Sequence, residues 1–272
     1  MQVAQGREVY RADAHPVLAR GYQYTDEEFG SARAGRLRTL LSDAQGRAGL
    51  ASLYGSLSLT DFGRENVETA LREPEQEEHS RGWREGEALG EAWLVDHKSC
   101  AFPWPFNRDL RNPRASMAGA ELVGFAGNSV EQVRLAFAQV KTSKEAQSPP
   151  QVVTKGDTSL IGQVKELRDN EFTTRTLVNY LGYRAALDLS FQEKYKAAAT
   201  KYFDSGVTAI AIFGVLVRDV APDKKDLAGA ATTLKSGAGV GATIELIGIY
   251  LPAGAIPKGP SHKPRKRKAN SK

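Results

Sequence analysis

Three polar residues, Glu121, Gln139 and Lys141, carry the side chains needed for metal-assisted chemistry on a phosphate. Side chains alternate along a strand, so Gln139 and Lys141 point to the same face, about 7 Å apart, if the apolar stretch 132–141 is a strand. Burying a lysine ammonium is costly unless a negative charge lies next to it. Glu121 can supply that charge if the preceding strand pairs with this one.

The oxygens of Glu121 and Gln139 are of the kind that bind a hard divalent cation such as Mg²⁺, whose remaining positions go to water and substrate phosphate. A lysine beside such an ion orients or activates the attacking water and offsets the negative charge that builds up on the phosphate. The three residues together therefore indicate attack of water on a phosphate.

Two strands, expected at about 119–125 and 132–141, must bring these residues together. The second strand is apolar on both faces, as a central strand of a sheet would be. Before them, the stretch 83–95 has the apolar spacing of a helix, with Glu87 and Glu91 one turn apart on the border of its apolar stripe. Glu91 adjoins the buried side of that helix.

A helix capped by Asp157 or Thr158 is expected after the two strands, and it carries Gln163. Further along the chain, helical and strand patterns alternate. Helices are expected over 173–189, 191–203 and 223–237, and strands over 207–220 and 240–252. Strands separated by helices predict a mixed α/β fold whose sheet is covered on its faces.

Three segments are expected along the chain. Residues 1–80 have helical spacing and no convincing strand pattern, so we interpret them as a helical lead-in with an exposed acidic loop at 72–81. Residues 81–256 are expected to form the α/β core. Residues 257–272 are interpreted as a disordered basic tail, which either only keeps the protein soluble or adds contacts to phosphates.

The positive charge of the sequence is concentrated in that tail. The chain has 37 lysines and arginines and 32 acids, but seven of the basic residues lie in 258–272, where there is no acid. The remainder has 30 basic against 32 acidic residues. The net charge of the whole chain therefore says little about the folded surface.

Composition also suggests a location for the protein. Cys100 is the only cysteine, which excludes an internal disulfide, and the polar start of the sequence lacks the apolar core of a secretory signal. The longest nearly unbroken apolar run, 207–217, has 11 residues, whereas a membrane helix needs about 20. We therefore expect a soluble, cytoplasmic protein without a membrane partner.

The order of these residues resembles the PD-(D/E)xK phosphodiesterase superfamily, in which an acid opens one strand and (Glu or Gln)-x-Lys closes the next. The resemblance covers roughly residues 82–170 and includes ELVGF from residue 121, FAQVKTS from residue 137 and LIGQVKEL from residue 160. Within the superfamily, these stretches are most similar to the nuclease subunit of Hachiman-type anti-phage defence systems, which works with a superfamily 2 helicase.

The resemblance implies a restriction-endonuclease-like core, with a central mixed sheet flanked by helices, that cleaves phosphodiester bonds in nucleic acid, with DNA as the expected substrate. It implies Mg²⁺ or Mn²⁺ as the cofactor, held by Glu121, Gln139 and a helix glutamate, either Glu91 or Glu87. Lys141 and a helix glutamine, here Gln163, complete the implied catalytic set. A helicase is the implied protein partner.

Two residues depart from the usual pattern of the superfamily. Glu121 stands where aspartate is usual, and Gln139 stands where glutamate is usual. Glutamine offers an amide oxygen but no charge, so Mg²⁺ should bind less tightly unless a helix glutamate compensates. A second interpretation therefore stays open, in which the nuclease-like fold has lost its activity and serves in DNA binding or complex assembly.

Overall fold

The computed structural model describes residues 2–78, 82–104, 119–237 and 241–257, which form a seven-stranded mixed sheet with helices on both faces. The strands are β1 (Arg7–Arg11), β2 (Val17–Gln23), β3 (Cys100–Ala101), β4 (Leu122–Ala126), β5 (Arg134–Ser143), β6 (Ile210–Arg218) and β7 (Thr243–Tyr250). Their order across the sheet is β1-β2-β7-β6-β5-β4-β3. The mixed α/β class predicted from the sequence is confirmed.

The centre of the sheet is parallel and its flanks are antiparallel. Strands β2, β7, β6 and β5 run in the same direction, whereas β1, β4 and β3 each run antiparallel to the strand beside them. Every residue of β6 is buried because both of its faces are covered. The carboxyl ends of the four parallel strands therefore meet at one edge of the sheet.

Helices precede, separate and follow the strands. They are α1 (Asp26–Ala32), α2 (Arg38–Ser42), α3 (Ala44–Gly55), α4 (Asp61–Glu78), α5 (Gly82–Lys98), α6 (Gln151–Thr154), α7 (Leu160–Asp169), α8 (Glu171–Leu187), α9 (Leu189–Asp204) and α10 (Lys225–Lys235). A π-helical turn, Arg33–Leu37, joins α1 to α2. No helix in the described part of the chain combines the length and the apolar character that a bilayer crossing requires.

The sheet separates two apolar cores. On one face, Trp93 of α5 belongs to the same buried cluster as Val140 of β5. On the other face, Phe137 of β5 clusters with Val164 of α7 and Leu227 of α10. Because successive side chains of β5 alternate between the faces, Gln139 and Lys141 belong to the face of Phe137.

Two glycines allow α5 to lie directly on β5. A β-carbon on Gly90 would lie 2.8 Å from Cγ2 of Val140, and one on Gly86 would clash with Oγ1 of Thr142. The two glycines are one turn apart and therefore form one contact stripe on the helix. Since the earlier glycine meets the later strand residue, α5 runs antiparallel to β5, and its first turns lie at the carboxyl end of that strand.

The prediction of a purely helical segment over residues 1–80 is wrong. Strands β1 and β2 both lie within it, and β2 pairs in parallel with β7 along all of its seven residues. Alanine and glycine give the stretch VLARGYQ a weak strand propensity, so the strand is held by its pairing and by the full burial of Val17 and Ala19. Residues 1–80 and 81–256 therefore contribute to one sheet.

The acidic stretch 72–81 is also not the loop that its charge suggested. Helix α4 continues to Glu78, because glutamate, glutamine and arginine are good helix formers even in a strongly charged stretch. Residues 79–81 lie outside the described residues. Of the tail expected over 257–272, only Pro257 belongs to the described part of the chain.

Helix α7 begins after Ser159 rather than at the caps predicted from the sequence, Asp157 or Thr158. The hydroxyl of Ser159 accepts a hydrogen bond from the N–H of Gly162 at 3.1 Å, which satisfies one of the free amides of the first turn. The N–H of Gln163 donates to the carbonyl of Ser159 at 2.9 Å. Gln163 therefore lies at the start of the helix, close to the cap.

Candidate active site at the carboxyl end of β5

Lys141 lies against Glu121, as its spacing predicted. Nζ of Lys141 donates a hydrogen bond to Oε1 of Glu121 at 3.2 Å, and the N–H of Val140 donates to Oε2. The backbone N–H of Glu121 in turn donates at 3.1 Å to the carbonyl of Ala138, the residue that pairs with Leu122, so the β4–β5 register is irregular at Glu121. Both oxygens of this carboxylate are therefore oriented by β5.

The carboxylate of Glu121 lies in an environment that opposes its charge. Burial raises the pKa of Glu121, while the ammonium of Lys141 and the N–H of Val140 act in the opposite direction. The side chain of Lys141 is 16% exposed and that of Glu121 is 8% exposed. The charged form of Glu121 is therefore stabilised by a neighbouring cation, which is the ammonium of Lys141.

Gln139 lies on β5 one residue beyond the last pair of the β4–β5 register, which joins Leu122 to Ala138. Its Nε2 donates a hydrogen bond to the carbonyl of Gly119. A carbonyl only accepts, so the amide nitrogen must face Gly119 and the amide oxygen must face away. That oxygen is buried and has no hydrogen-bond partner among the described residues.

Gln163 approaches the same face of the sheet from α7. Leu160 and Val164 of this helix each lie 3.4 Å from the position of a β-carbon on Gly214, and Gly214 is the residue of β6 that pairs with Gln139. Gln163 lies between these two contacts in the first turns of the helix. Its amide oxygen is a second buried acceptor for which the described residues provide no donor.

Glu87 of α5 interacts with the Glu121–Lys141 pair from the helix. Burial raises the pKa of Glu87 to about 8, with a further upward contribution from the negative charge of Glu121. Arg84 and Lys141 lower the same pKa, but by less than burial raises it. Gly86, the residue before Glu87, is the one that contacts Thr142. The described contacts therefore link Glu87 to the end of β5.

Glu91, the other helix glutamate expected in the site, is 4% exposed and lies one turn further along α5. The residue before it, Gly90, lies against Val140, which is deeper in the sheet than Thr142. The position of Glu91 is thus displaced from that of Glu87 toward the centre of β5, by the length of one helical turn.

Two residues with a direct effect on the site were missed in the sequence. Gly119 has a φ of +92°, a conformation that glycine adopts without strain, and its carbonyl orients Gln139. Arg84 lowers the pKa of Glu87. Its spacing of three residues from Glu87 on a helix was a usable signal, because such pairs lie side by side. Nothing in the sequence indicated the contact made by Gly119.

Several oxygens at this end of the sheet are of the type that a hard divalent cation binds. The amide oxygens of Gln139 and Gln163 have no competing donor in the described structure, and the carboxylate oxygens of Glu121 keep lone pairs beyond the bonds that they accept. Glu87 supplies a second carboxylate nearby. One or two carboxylates with neutral oxygen ligands are a usual set for Mg²⁺.

This donor set carries less negative charge than a site built from three acids. Within the ranges that the structure describes, no three histidine, cysteine, aspartate or glutamate side chains come together as a metal-binding group. A lower charge on the ligands weakens cation binding, so the set fits a weakly held ion. Cys100, in contrast, is buried with its pKa raised by burial to about 12, which keeps its thiol protonated.

Comparison with models of known protein families gives no match for this sequence, and comparison with curated proteins gives none either. The resemblance to the PD-(D/E)xK superfamily therefore rests on the sequence motifs around Glu121, Lys141 and Gln163 alone.

Proposed function

We propose that this protein is a metal-dependent nuclease with a restriction-endonuclease-like core, which hydrolyses phosphodiester bonds in nucleic acid, with DNA as the expected substrate. The observation that carries the proposal is the buried Glu121–Lys141 pair at the end of β5, a strand on which the amide oxygen of Gln139 is also buried without a partner among the described residues. A purely structural ion pair would not require a buried acceptor without a donor on the same strand.

The side chains have distinct roles in this proposal. Lys141 binds the phosphate at the reacting centre, orients the attacking water and offsets the charge that develops on the phosphate. Glu121 and Gln139 hold the metal ion together with a helix glutamate, Glu87 or Glu91. When bound, Mg²⁺ or Mn²⁺ lowers the pKa of bound water and polarises the phosphate.

The arrangement of elements supports the same proposal. Along the chain, the helix acid lies on α5, Glu121 directly precedes β4, Gln-x-Lys lies on β5 and the helix glutamine lies on α7. Helix α7, which carries Gln163, packs on the same face of the sheet as Gln139, and Glu87 interacts with the Glu121–Lys141 pair from α5, which packs on the other face. The further proposal, of anti-phage defence together with a helicase, rests on the likeness of the motifs. The slightly acidic composition of residues 1–257 suits an enzyme to which a partner delivers DNA.

The test is a cleavage assay on plasmid and linear DNA with Mg²⁺, Mn²⁺ or EDTA. We expect the wild type to cleave DNA with either metal and to stop with EDTA. Glu121→Gln and Lys141→Met should each reduce the rate by about 10²-fold or more, because each removes a group that acts on the reacting phosphate. Cleavage that persists at the wild-type rate in both variants would refute the proposal.

A matched control comes from a second partly buried ion pair, Lys98–Glu245, whose side chains are 20% and 14% exposed. This pair joins the end of α5 to β7, away from the end of β5. Lys98→Met and Glu245→Gln therefore reproduce the loss of a partly buried charge without changing the candidate site. We expect both control variants to keep cleavage within about threefold of the wild-type rate.

A second candidate function is a nuclease-like module without activity that binds DNA or assembles with a partner. It is favoured by the low charge of the donor set, in which Gln139 takes the place of an acid. A ligand that binds only the folded state raises thermal stability. The module should therefore show no Mn²⁺-dependent stabilisation that disappears in Glu121→Gln, whereas the nuclease should show one.

A further inference from the structure

Helix α8 has a broad uncharged face that is directed to solvent. Its inward side packs on the sheet, where Leu177 and Leu181 belong to the same buried cluster as Phe137 of β5. At 3.6 residues per turn, six other residues of the helix lie within about 100° of each other around its axis. All six are exposed and none of the six is charged, namely Phe172, Thr176, Asn179, Tyr183, Ala186 and Leu187. We call these six residues the outward face of α8.

Large apolar side chains dominate the outward face. Phe172 is 80% exposed, Tyr183 is 76% exposed and Leu187 is 85% exposed. Leu189, at the start of α9, is 74% exposed and continues the apolar surface beyond the end of α8. A surface helix ordinarily carries charged or polar residues on its solvent side, whereas a contiguous apolar patch marks an interaction site. The outward face therefore has the properties of a contact surface.

The spacing of these residues makes the outward face complementary to a second copy of itself. If two α8 helices pack antiparallel with a two-fold axis beside Asn179, Phe172 of one copy lies opposite Leu187 of the other. Each of these two residues is about 11 Å from the axis, measured along its helix. Tyr183 lies opposite Thr176, whose small side chain leaves space for the ring. A two-fold interface requires this matching of one surface with itself.

Asn179 is suited to a position beside the two-fold axis. A residue at the axis meets its own copy, so a charged side chain there repels itself, whereas an asparagine amide can both donate and accept a hydrogen bond. The charged residues at the border of the outward face, Glu171 and Arg175, form an ion pair with each other. In the antiparallel arrangement, moreover, opposite ends of the two helix dipoles lie side by side, which is favourable.

The area of the outward face is that of a weak dimer interface. Burial of Phe172 and Tyr183 alone would remove about 300 Å² of each copy from water. Leu187, Leu189 and the smaller residues of the face bring the area to about 1,000 Å² for the two copies together, which is close to the lower limit for a specific interface. Interfaces of this size belong to weak or transient complexes, so the Kd is expected to be micromolar.

We propose that the protein forms a two-fold symmetric homodimer in which the outward faces of two α8 helices pack antiparallel. Formation of this dimer does not require that the protein cleaves DNA. The inward side of the same helix contacts the candidate site, because Cδ2 of Leu177 lies 3.3 Å from the position of a β-carbon on Gly119. The carbonyl of Gly119 accepts the hydrogen bond from Gln139. In the dimer, each candidate site is thus separated from the interface by the thickness of one helix.

The test is sedimentation equilibrium of the full-length chain between 2 and 200 μM. We expect the wild type to approach twice the chain mass of 29.5 kDa at the highest concentration. Asn179→Asp and Asn179→Lys should each raise the Kd of the dimer at least tenfold, because two like charges then meet at the axis. An equimolar mixture of the two variants should restore the dimer, because opposite charges meet there instead.

Asn66→Asp and Asn66→Lys are the matched controls, because Asn66 is an exposed asparagine of another helix, α4. Both control variants should keep the Kd of the dimer within threefold of the wild-type value. Circular dichroism and thermal unfolding of the Asn179 variants at 2 μM should match the wild type, since this side chain is exposed in the single copy.

Three results would overturn the proposal. The first is a wild type that stays at the mass of one chain up to 200 μM, including the case in which this single chain binds phosphatidylcholine vesicles through the outward face. The second is a dimer whose Kd is the same in the Asn179 variants as in the wild type. The third is a mixture of Asn179→Asp and Asn179→Lys that dimerises no better than either variant alone.

Discussion

The ammonium of Lys141 and the carboxylate of Glu121 form a hydrogen-bonded ion pair, 3.2 Å between Nζ and Oε1, in which the two side chains are only 16% and 8% exposed. Two charges at this depth are stable only together, because each would otherwise be a buried charge without a counter-ion. Removal of either partner would therefore leave the other as a buried charge that needs a new counter-ion.

The first prediction concerns the stability of this pair. Lys141→Met and Glu121→Gln should each lower the free energy of unfolding by about 3 kcal/mol at neutral pH, since each leaves one buried charge unpaired. The double variant should be more stable than the sum of the two single effects implies. Urea unfolding followed by circular dichroism measures all three, and strictly additive effects would contradict the prediction.

The second prediction concerns pH and Glu87. Its pKa of about 8 in the folded state lies above the ordinary value of 4.5, so the folded protein keeps a proton that the unfolded chain releases in this range. The free energy of unfolding should therefore fall as pH rises from 4.5 to 8 in metal-free buffer. In Glu87→Gln this part of the decrease should disappear, so that the variant gains stability relative to the wild type between about pH 5 and about pH 8.5.

Glu65→Gln, at an exposed position of α4, is the control for the pH experiment. Its difference from the wild type should be the same at both ends of that pH range. If Glu87→Gln and Glu65→Gln show the same pH profile, burial does not raise the pKa of Glu87 in the folded protein.

The third prediction concerns the contact between α5 and β5. Gly86→Ala should lower the free energy of unfolding by about 1–3 kcal/mol, because its β-carbon would clash with Thr142. Gly229→Ala in α10 is the matched control, since there a β-carbon meets no atom within 4 Å. This control should stabilise the protein by about 0.5–1 kcal/mol through helix propensity. Thr142→Ala should partly rescue Gly86→Ala, and the absence of rescue would argue against the contact.

The fourth prediction adds the charge that the site lacks. In Gln139→Glu the new carboxylate would face the carbonyl of Gly119, which now accepts a hydrogen bond from the amide, so the metal-free protein should be less stable by about 1–3 kcal/mol. With Mn²⁺ present, the added negative ligand should restore stability and lower the metal concentration for half-maximal thermal stabilisation by about tenfold. An unchanged metal dependence would show that Gln139 does not face the ion.

The central part of the fold could be predicted from the sequence, but its edge could not. Strand β5 and helices α5 and α7 have clear apolar periodicity, so their existence followed from pattern alone. Strand β2 has a weak pattern, and its stability comes from pairing with β7, which lies at the far end of the sequence. Pairing between strands that are so far apart in sequence produces no local sequence pattern from which β2 could be predicted.

Of the candidate site, the contact between Lys141 and Glu121 could be predicted from the sequence. The alternation of β5 placed Gln139 and Lys141 on one face, and the cost of burying a lysine pointed to Glu121. The sequence could not show whether Glu87 or Glu91 lies closer to the end of β5, because this depends on how far α5 is displaced along β5. The two glycines of α5 mark the contact stripe of the helix, but only the folded structure shows which strand residue each of them meets.

The parallel arrangement of β2, β7, β6 and β5 has a consequence for how such a protein can diversify. Short connections follow the carboxyl ends of these strands. Gln139, in contrast, is buried in the sheet between two apolar layers. Substitutions in the connections can alter which molecules approach without disturbing the interior, because loops tolerate change better than packed strands. The connections should therefore change faster in evolution than the buried polar residues of the strands.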